Sequence, residues 1–245
     1  MNRQFLCDEL VAANRILANE GVVDAFGHVS VRDPECPDRY ILARARPPEL
    51  IEQSDIMVFD LDGKPLDGSV GKPYLERHIH GAVYEARPDV HAVVHSHSRS
   101  VVPFSVSTEV IRPVVHSCAT IGEAVPVWDS QSSFGDSNLL ISDMKMGRDF
   151  AKVLGEHACS LMRGHGSTVV GGSLREAVYT AVYLEVNAKL QMDAIRLGGV
   201  KYLTKGEVAI IRGRLRDAKP GEGFDRAWEY WCRRAGLKFE SATAP

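Results

Sequence analysis

One mixed α/β domain is the fold class that the sequence predicts, and three features of the chain point to it. Segments with apolar residues at helical spacing alternate with short β-branched or aromatic runs. Gly, Pro and Asp separate these segments, and no long linker, internal repeat or low-complexity tract divides them. The 245 residues, 44% hydrophobic and 25% charged, suffice for a core that needs neither disulfide staples nor a structural metal. We therefore expect one domain over residues 1–245, closing in a helical tail at about 222–245, and expect any metal to serve chemistry.

Phe5, Leu6, Leu10, Val11, Ile16 and Leu17 recur at helical spacing up to Gly21, which predicts an amphipathic helix over about 3–20. The runs 27–32, 39–43 and 56–60 follow as short strands of an antiparallel sheet, with Asp62-Gly63 marking a turn. Pro73 suits the first turn of a helix that reaches about Glu85 and is ended by Arg87-Pro88-Asp89. His91 to His97 then reads as a buried strand, 142–154 as a helix stopped by Gly155, and 158–162 and 167–170 as strands flanking Arg163-Gly164-His165-Gly166. Ser173 and Glu176 form a capping-box pattern ahead of the longest helix, whose apolar side carries Val178, Ala181, Val182, Leu184, Ala188 and Leu190 and which Gly198-Gly199 ends. Past Lys219-Pro220-Gly221-Glu222-Gly223 a short helix holds Trp228, Tyr230 and Trp231, aromatic residues that either cap the core or pack on a neighbouring subunit.

Charge and cysteine usage narrow the function. Lys and Arg number 29 against 32 Asp and Glu, and no basic tract occurs, so the footprint of a phosphate-backbone binder is missing and nucleic acid is not an expected partner. The five cysteines are scattered without a Cys-x-x-Cys pair, which argues against a disulfide framework and a thiolate zinc site and fits a reducing, cytoplasmic setting. Asp8 and Glu9 interrupt the apolar pattern of the N-terminus and no 18-residue apolar run exists, so neither a signal peptide nor a membrane span is expected.

Five of the nine histidines fall between His78 and His97. On a strand, side chains two residues apart project to the same face, so His95 and His97 can close on one ion; one core imidazole and one surface imidazole would satisfy the same spacing. His165, with glycine on both sides, can approach another element closely and supply a third nitrogen, leaving coordination positions open for substrate as in a catalytic divalent site. Glu76 shares a helix face with His80, and a carboxylate there can ligate a cation or exchange protons; pairing with Arg77 or Lys72 on a solvated face is the plainer alternative.

Four segments together resemble the class II aldolase/adducin family. Gly27-His28-Val29-Ser30 is similar to its Gly-Asn-x-Ser substrate loop, Glu76 and His95-Ser96-His97 to its Glu and His-x-His metal motif, and His165 to its third histidine. The resemblance implies a three-layer α/β/α sandwich around a mostly antiparallel sheet, and a homotetramer with active sites at subunit interfaces. It also implies one divalent ion per subunit on Glu76, His95, His97 and His165, manganese or zinc foremost and iron or cobalt compatible.

Departures from the family pattern shift the expected substrate. His28 stands where the sugar-phosphate enzymes carry Asn, and Arg44 and Arg46 offer guanidinium forks suited to carboxylates. With Ile79-His80-Gly81, 85–90 and 103–106, the chain looks more like the family's decarboxylases of hydroxylated aromatic dicarboxylates, such as hydroxymethylpyridine-dicarboxylate and 3,4-dihydroxyphthalate decarboxylase. The expected partner is then a small anionic substrate held by His28, Ser30, Arg44, Arg46 and His116, with Glu76 as the acid/base. A sugar-phosphate aldolase or epimerase, with Ser69, Gly71 and Lys72 binding phosphate, is the alternative. A metal-free binding module like the adducin branch is the third reading, opposed by the four metal-type residues.

Overall fold

A computed structural model of the chain describes residues 3–66, 68 and 71–237. Helix α1 (Arg3–Asn19) leads into three antiparallel strands, β1 (His28–Arg32), β2 (Arg39–Ala43) and β3 (Ile56–Asp60). Then come α2 (Arg77–Ala86), β4 (Ala92–Ser96), β5 (Val127–Trp128), α3 (Ser130–Phe134), α4 (Met144–Leu154), β6 (Cys159–Met162), β7 (Gly166–Gly171), α5 (Leu174–Arg196), α6 (Lys205–Arg216) and α7 (Phe224–Arg234). The strands form one seven-stranded sheet in the order β3-β2-β1-β4-β7-β6-β5, antiparallel except for the β5/β6 pair.

Strand alternation explains the layers. Val29, Val31, Ile41, Ala92, Val94, Leu161 and Val169 enter a core shared with α1, α5 and α7, whereas Tyr40, Leu42, Met57, Phe59, Val93 and Val170 enter a second core under α2 and α4. The result is the expected three-layer α/β/α arrangement around a mostly antiparallel sheet. His28 pairs with His95 across the β1/β4 ladder, so both imidazoles lie on the α2 face.

Several elements differ from expectation for local reasons. Helix α2 begins at Arg77 rather than near Pro73, because 72–74 run as an extended strip against 44–46: Ala45 N–H donates to Lys72 O at 2.8 Å, and Arg44 bridges Pro73. Glu76 consequently occupies the N-cap position of α2, just ahead of the first turn, instead of lying within its first or second turn. The capping box at Ser173 is half formed: Ser173 Oγ accepts from Glu176 N–H at 3.1 Å, but the Glu176 carboxylate accepts from Gly172 N–H instead of Ser173. Helix α6 has no counterpart among the expected elements: its apolar face is thin, Val208, Ile211 and Leu215, with Val208 alone fully buried, although Thr204 and Glu207 form a complete capping box. In α7, Trp228 and Trp231 join the α1/α5 core while Tyr230 stays exposed, so the two indoles cap the core. All five cysteines are free thiols. Among the described residues no helix is long and apolar enough to cross a membrane.

Candidate metal centre and substrate cavity

Strand β4 delivers His95 at its penultimate position and His97 one residue past its end. Ser98 and Ser100, just beyond, donate from their hydroxyls to the Glu185 carboxylate of α5 at 2.5 Å each, which pins the turn that carries His97. Opposite, Gly164 takes a positive φ of 65° and its N–H donates to Ser105 Oγ at 3.0 Å, turning His165 toward β4. Gly166 lets β7 approach closely, since a Cβ there would collide with the Ser96 carbonyl and His97. The glycines flanking His165 thus supply a tight turn on one side and the expected close approach on the other.

The four side chains converge. His95 Nε2 lies 3.1 Å from His97 Nε2, and His97 Nε2 lies 3.0 Å from His165 Nε2. Glu76 Oε2 lies 3.5 Å from His95 Nε2 and 3.4 Å from His165 Nε2, while Glu76 Oε1 accepts from Ile141 N–H at 3.0 Å. Burial works to raise the Glu76 carboxyl, but His95 and His165 outweigh it and hold the group well below the usual carboxylate range. Burial, then His95 and His165, push His97 down to about 4, so its imidazole is neutral near pH 7.

A cation fits this donor set. His95 Nδ1–H donates to the Ser167 carbonyl at 3.1 Å, which turns Nε2 toward the Glu76 carboxylate and the other imidazoles as the nitrogen available to a metal. Three imidazole nitrogens and a carboxylate oxygen thus crowd one point, an arrangement that a divalent ion can occupy. Neighbouring donors stand 3.0–3.5 Å apart and all four lie within 4.8 Å of one another, close enough to share one ion.

Above the cluster opens a cavity of about 600 Å³, lined by Phe26, His28, Arg46, Pro47, Lys72, Tyr74, Leu75, Glu76, His95, His97 and Leu140 among others. That size suits a small molecule, and the apolar walls with a few convergent polar groups are typical of such sites. Of the residues expected to contact substrate, His28 and Arg46 line the cavity. Arg44 does not: its Nε binds the buried Asp55 carboxylate at 2.5 Å and its stem packs on Gly71. Ser30 lies two residues beyond His28 on the same face but is fully covered by α2, its hydroxyl 2.6 Å from His80 Nδ1 and 2.8 Å from the Tyr84 hydroxyl. His116 is an exposed residue at the start of a 3-10 turn that runs along α5 and α6, away from the cavity lining. His80, one turn past Glu76, points to His28 Nδ1 at 2.6 Å rather than to the metal cluster. In the alternative anion cluster, Lys72 lines the cavity, Gly71 does not, and Ser69 lies outside the described residues.

Sequence reasoning missed three contributors. Asp55 ties Arg46 Nη1 at 2.6 Å and Arg44 together, Tyr74 bonds the Arg46 backbone through its hydroxyl, and Ile141 fixes one oxygen of Glu76. The first two are ordinary residues at no diagnostic spacing, and a backbone N–H leaves no trace in a side-chain pattern.

The model of the class II aldolase and adducin N-terminal domain matches residues 8–192, and the chain belongs to that family. The decarboxylase tropJ of Talaromyces stipitatus is 33% identical over 247 residues, covering 91% of each chain. The 3,4-dihydroxyphthalate decarboxylase of Arthrobacter keyseri is 31% identical, covering 93% of this chain and 92% of that protein. The solved L-fuculose 1-phosphate aldolase of Glaciozyma antarctica superposes with a TM-score of 0.73 at 25% identity, covering 96% of this chain and 93% of its own. Decarboxylases and aldolases both cleave carbon–carbon bonds, and the chain is a lyase of this family.

Proposed function

We propose that the chain is a divalent-metal-dependent decarboxylase of a hydroxylated aromatic or pyridine dicarboxylate. The observation that carries the reading is the convergence of Glu76, His95, His97 and His165 beneath a cavity that sets apolar walls beside Arg46, Lys72 and His28. The two decarboxylase relatives support the choice of reaction.

Glu76, His95, His97 and His165 would hold the ion, which when bound supplies Lewis acidity to a substrate oxygen beside the carbon that loses CO₂. Phe26, Pro47, Leu75 and Leu140 pack on the faces of the ring and exclude water. Arg46 and Lys72 anchor the carboxylate that the product retains. Asp55 and Glu52 both accept from Arg46 Nη1, which leaves Nη2 for substrate. Glu76 Oε1 is occupied by Ile141 N–H, so Oε2 serves in turn: it completes the substrate-free site and, once substrate takes its place there, it takes the proton of the ring hydroxyl. As the bond to the departing carboxylate breaks, its electron pair stays on the ring carbon and Oε2 returns the proton there.

We further propose a cytoplasmic homotetramer with active sites at subunit interfaces. Exposed Phe26 and Leu75 on the cavity wall support buried contacts there, and the free thiols suit a reducing compartment. Sedimentation equilibrium checks the assembly; a monomer at micromolar concentration would contradict it.

The activity test is CO₂ release from a panel of ortho-hydroxy aromatic and pyridine dicarboxylates, with fuculose and ribulose phosphates alongside, using chain loaded separately with zinc, manganese and iron. Chelator-sensitive CO₂ release from a ring dicarboxylate is expected. Aldol cleavage or epimerisation of a sugar phosphate would replace the proposal with the alternative.

A further inference from the structure

Behind the cavity wall four buried side chains bond in series. His28 Nδ1 lies 2.6 Å from His80 Nε2, His80 Nδ1 lies 2.6 Å from Ser30 Oγ, and Ser30 Oγ lies 2.8 Å from the Tyr84 hydroxyl. Ser30 and His80 are fully enclosed and Tyr84 nearly so. Each proton in the series therefore needs an acceptor within it, because a buried O–H or N–H left without one forfeits its full hydration.

Pairwise geometry permits two directions, and the Tyr84 end separates them. If His28 donated to His80, then His80 would donate to Ser30, and whichever of the Ser30 and Tyr84 hydroxyls donated to the other, one hydroxyl proton would be left with no hydrogen-bond acceptor among the described residues. Run the other way, Tyr84 donates to Ser30, Ser30 donates to His80 Nδ1, and His80 Nε2–H donates to His28 Nδ1, so every proton is used. His28 Nδ1 is then an acceptor, and the neutral ring carries its proton on Nε2. That nitrogen has no hydrogen-bond partner among the described residues and is not enclosed, so it opens on the cavity that His28 lines.

We infer that Tyr84, Ser30 and His80 are positioning residues that hold His28 as an Nε2–H donor, offered to an anionic oxygen of the substrate. The series is itself braced. Arg32 Nη2 donates to the Tyr84 carbonyl at 2.9 Å with its guanidinium 4.8 Å from the ring centroid, and the Tyr40 ring stacks beside His80 at 14° between planes. The opposite tautomer would turn a lone pair toward the anion and repel it. Identifying that anion as a ring carboxylate rests on the function proposed above, whereas the direction of the series does not.

Neutron diffraction from deuterium-exchanged crystals of the zinc-loaded chain reads the tautomer without turnover. Deuterium on Nε2 of both His28 and His80 is expected; deuterium on Nδ1 of His28 overturns the inference. In solution, Ser30→Ala should raise KM for a ring dicarboxylate about tenfold or more, the loss of one hydrogen bond to a charged group, while kcat changes less. Ser30→Thr, which keeps the hydroxyl, should recover most of that loss, and equal KM values for the two variants would overturn the positioning role. A wild-type chain that turns over no ring dicarboxylate removes the proposed function and the ligand named here, while the diffraction result decides the tautomer by itself.

Discussion

Gly166→Ala should displace the His97 imidazole and force strands β4 and β7 apart. Gly166 does not lie in the positive-φ region, so alanine can adopt its conformation and the effect is steric. A Cβ at this position falls inside the contact shell of the Ser96 carbonyl and 2.9 Å from His97 Cδ2, where ordinary contact begins at 3.4 Å. Ser96 is paired with Ser167 in the β4/β7 ladder, so its carbonyl cannot retreat without opening the sheet. The imidazole must therefore give by 0.5 Å or more, and the strands part with it. A misplacement on the order of 1 Å in a reacting constellation costs about 10²-fold in rate, and overpacking of this kind destabilises by about 1–3 kcal/mol. Turnover of the ring dicarboxylate at saturating metal, together with urea denaturation, measures both. Wild-type turnover with an unchanged denaturation midpoint would refute the close approach of β4 and β7 as the device that sets His97.

Glu76→Gln keeps an acceptor for Ile141 N–H and should leave the metal bound on the three histidines, yet lower kcat by at least about 10²; near-normal turnover removes Glu76 from the proton transfer. Zinc at a hundredfold excess over its Kd should stabilise the wild type by about 2.7 kcal/mol in denaturant titrations, and His97→Ala or His165→Ala should shrink that increment, whereas equal stabilisation of the variants would put the ion elsewhere. Burial raises the Asp55 carboxyl, but the Glu52 N–H and the Arg46 and Arg44 guanidiniums outweigh it and leave the group below its ordinary value. A depressed folded pKa gives stability that is complete above the unfolded pKa of about 3.9 and is lost as pH falls through the folded value. The stability gap between wild type and Asp55→Asn should accordingly be widest near neutral pH and narrow in acid; a gap independent of pH would contradict the ion-pair role.

What the sequence made legible follows the physics of each element. Strands β1 to β4 declared themselves because alternation, β-branching and Pro or Gly breaks are local properties, and the sheet they form places His28 opposite His95. The convergence of His95, His97 and His165 was readable because a strand and a glycine turn bring donor atoms able to hold a metal to one place at such spacings. The start of α2 was not, since Pro73 suits either a helix or the extended strip that the 44–46 segment recruits. Ser30 and Arg44 were misjudged for a shared reason: chemistry marks them as able to bind an anion, but only packing shows that α2 covers the first and Asp55 engages the second. The same limit hid the Tyr84 end of the buried series, 54 residues from Ser30 in the chain.

The central claim is that one divalent ion sits among Glu76, His95, His97 and His165 and that the lyase acts there. An anomalous difference map from crystals of the zinc-loaded chain, collected on both sides of the zinc edge, tests it most directly. A single strong peak bonded to Glu76 Oε2 and to Nε2 of the three histidines is the expected result. Zinc bound elsewhere, with these four side chains unligated in a chain that still releases CO₂, would contradict it.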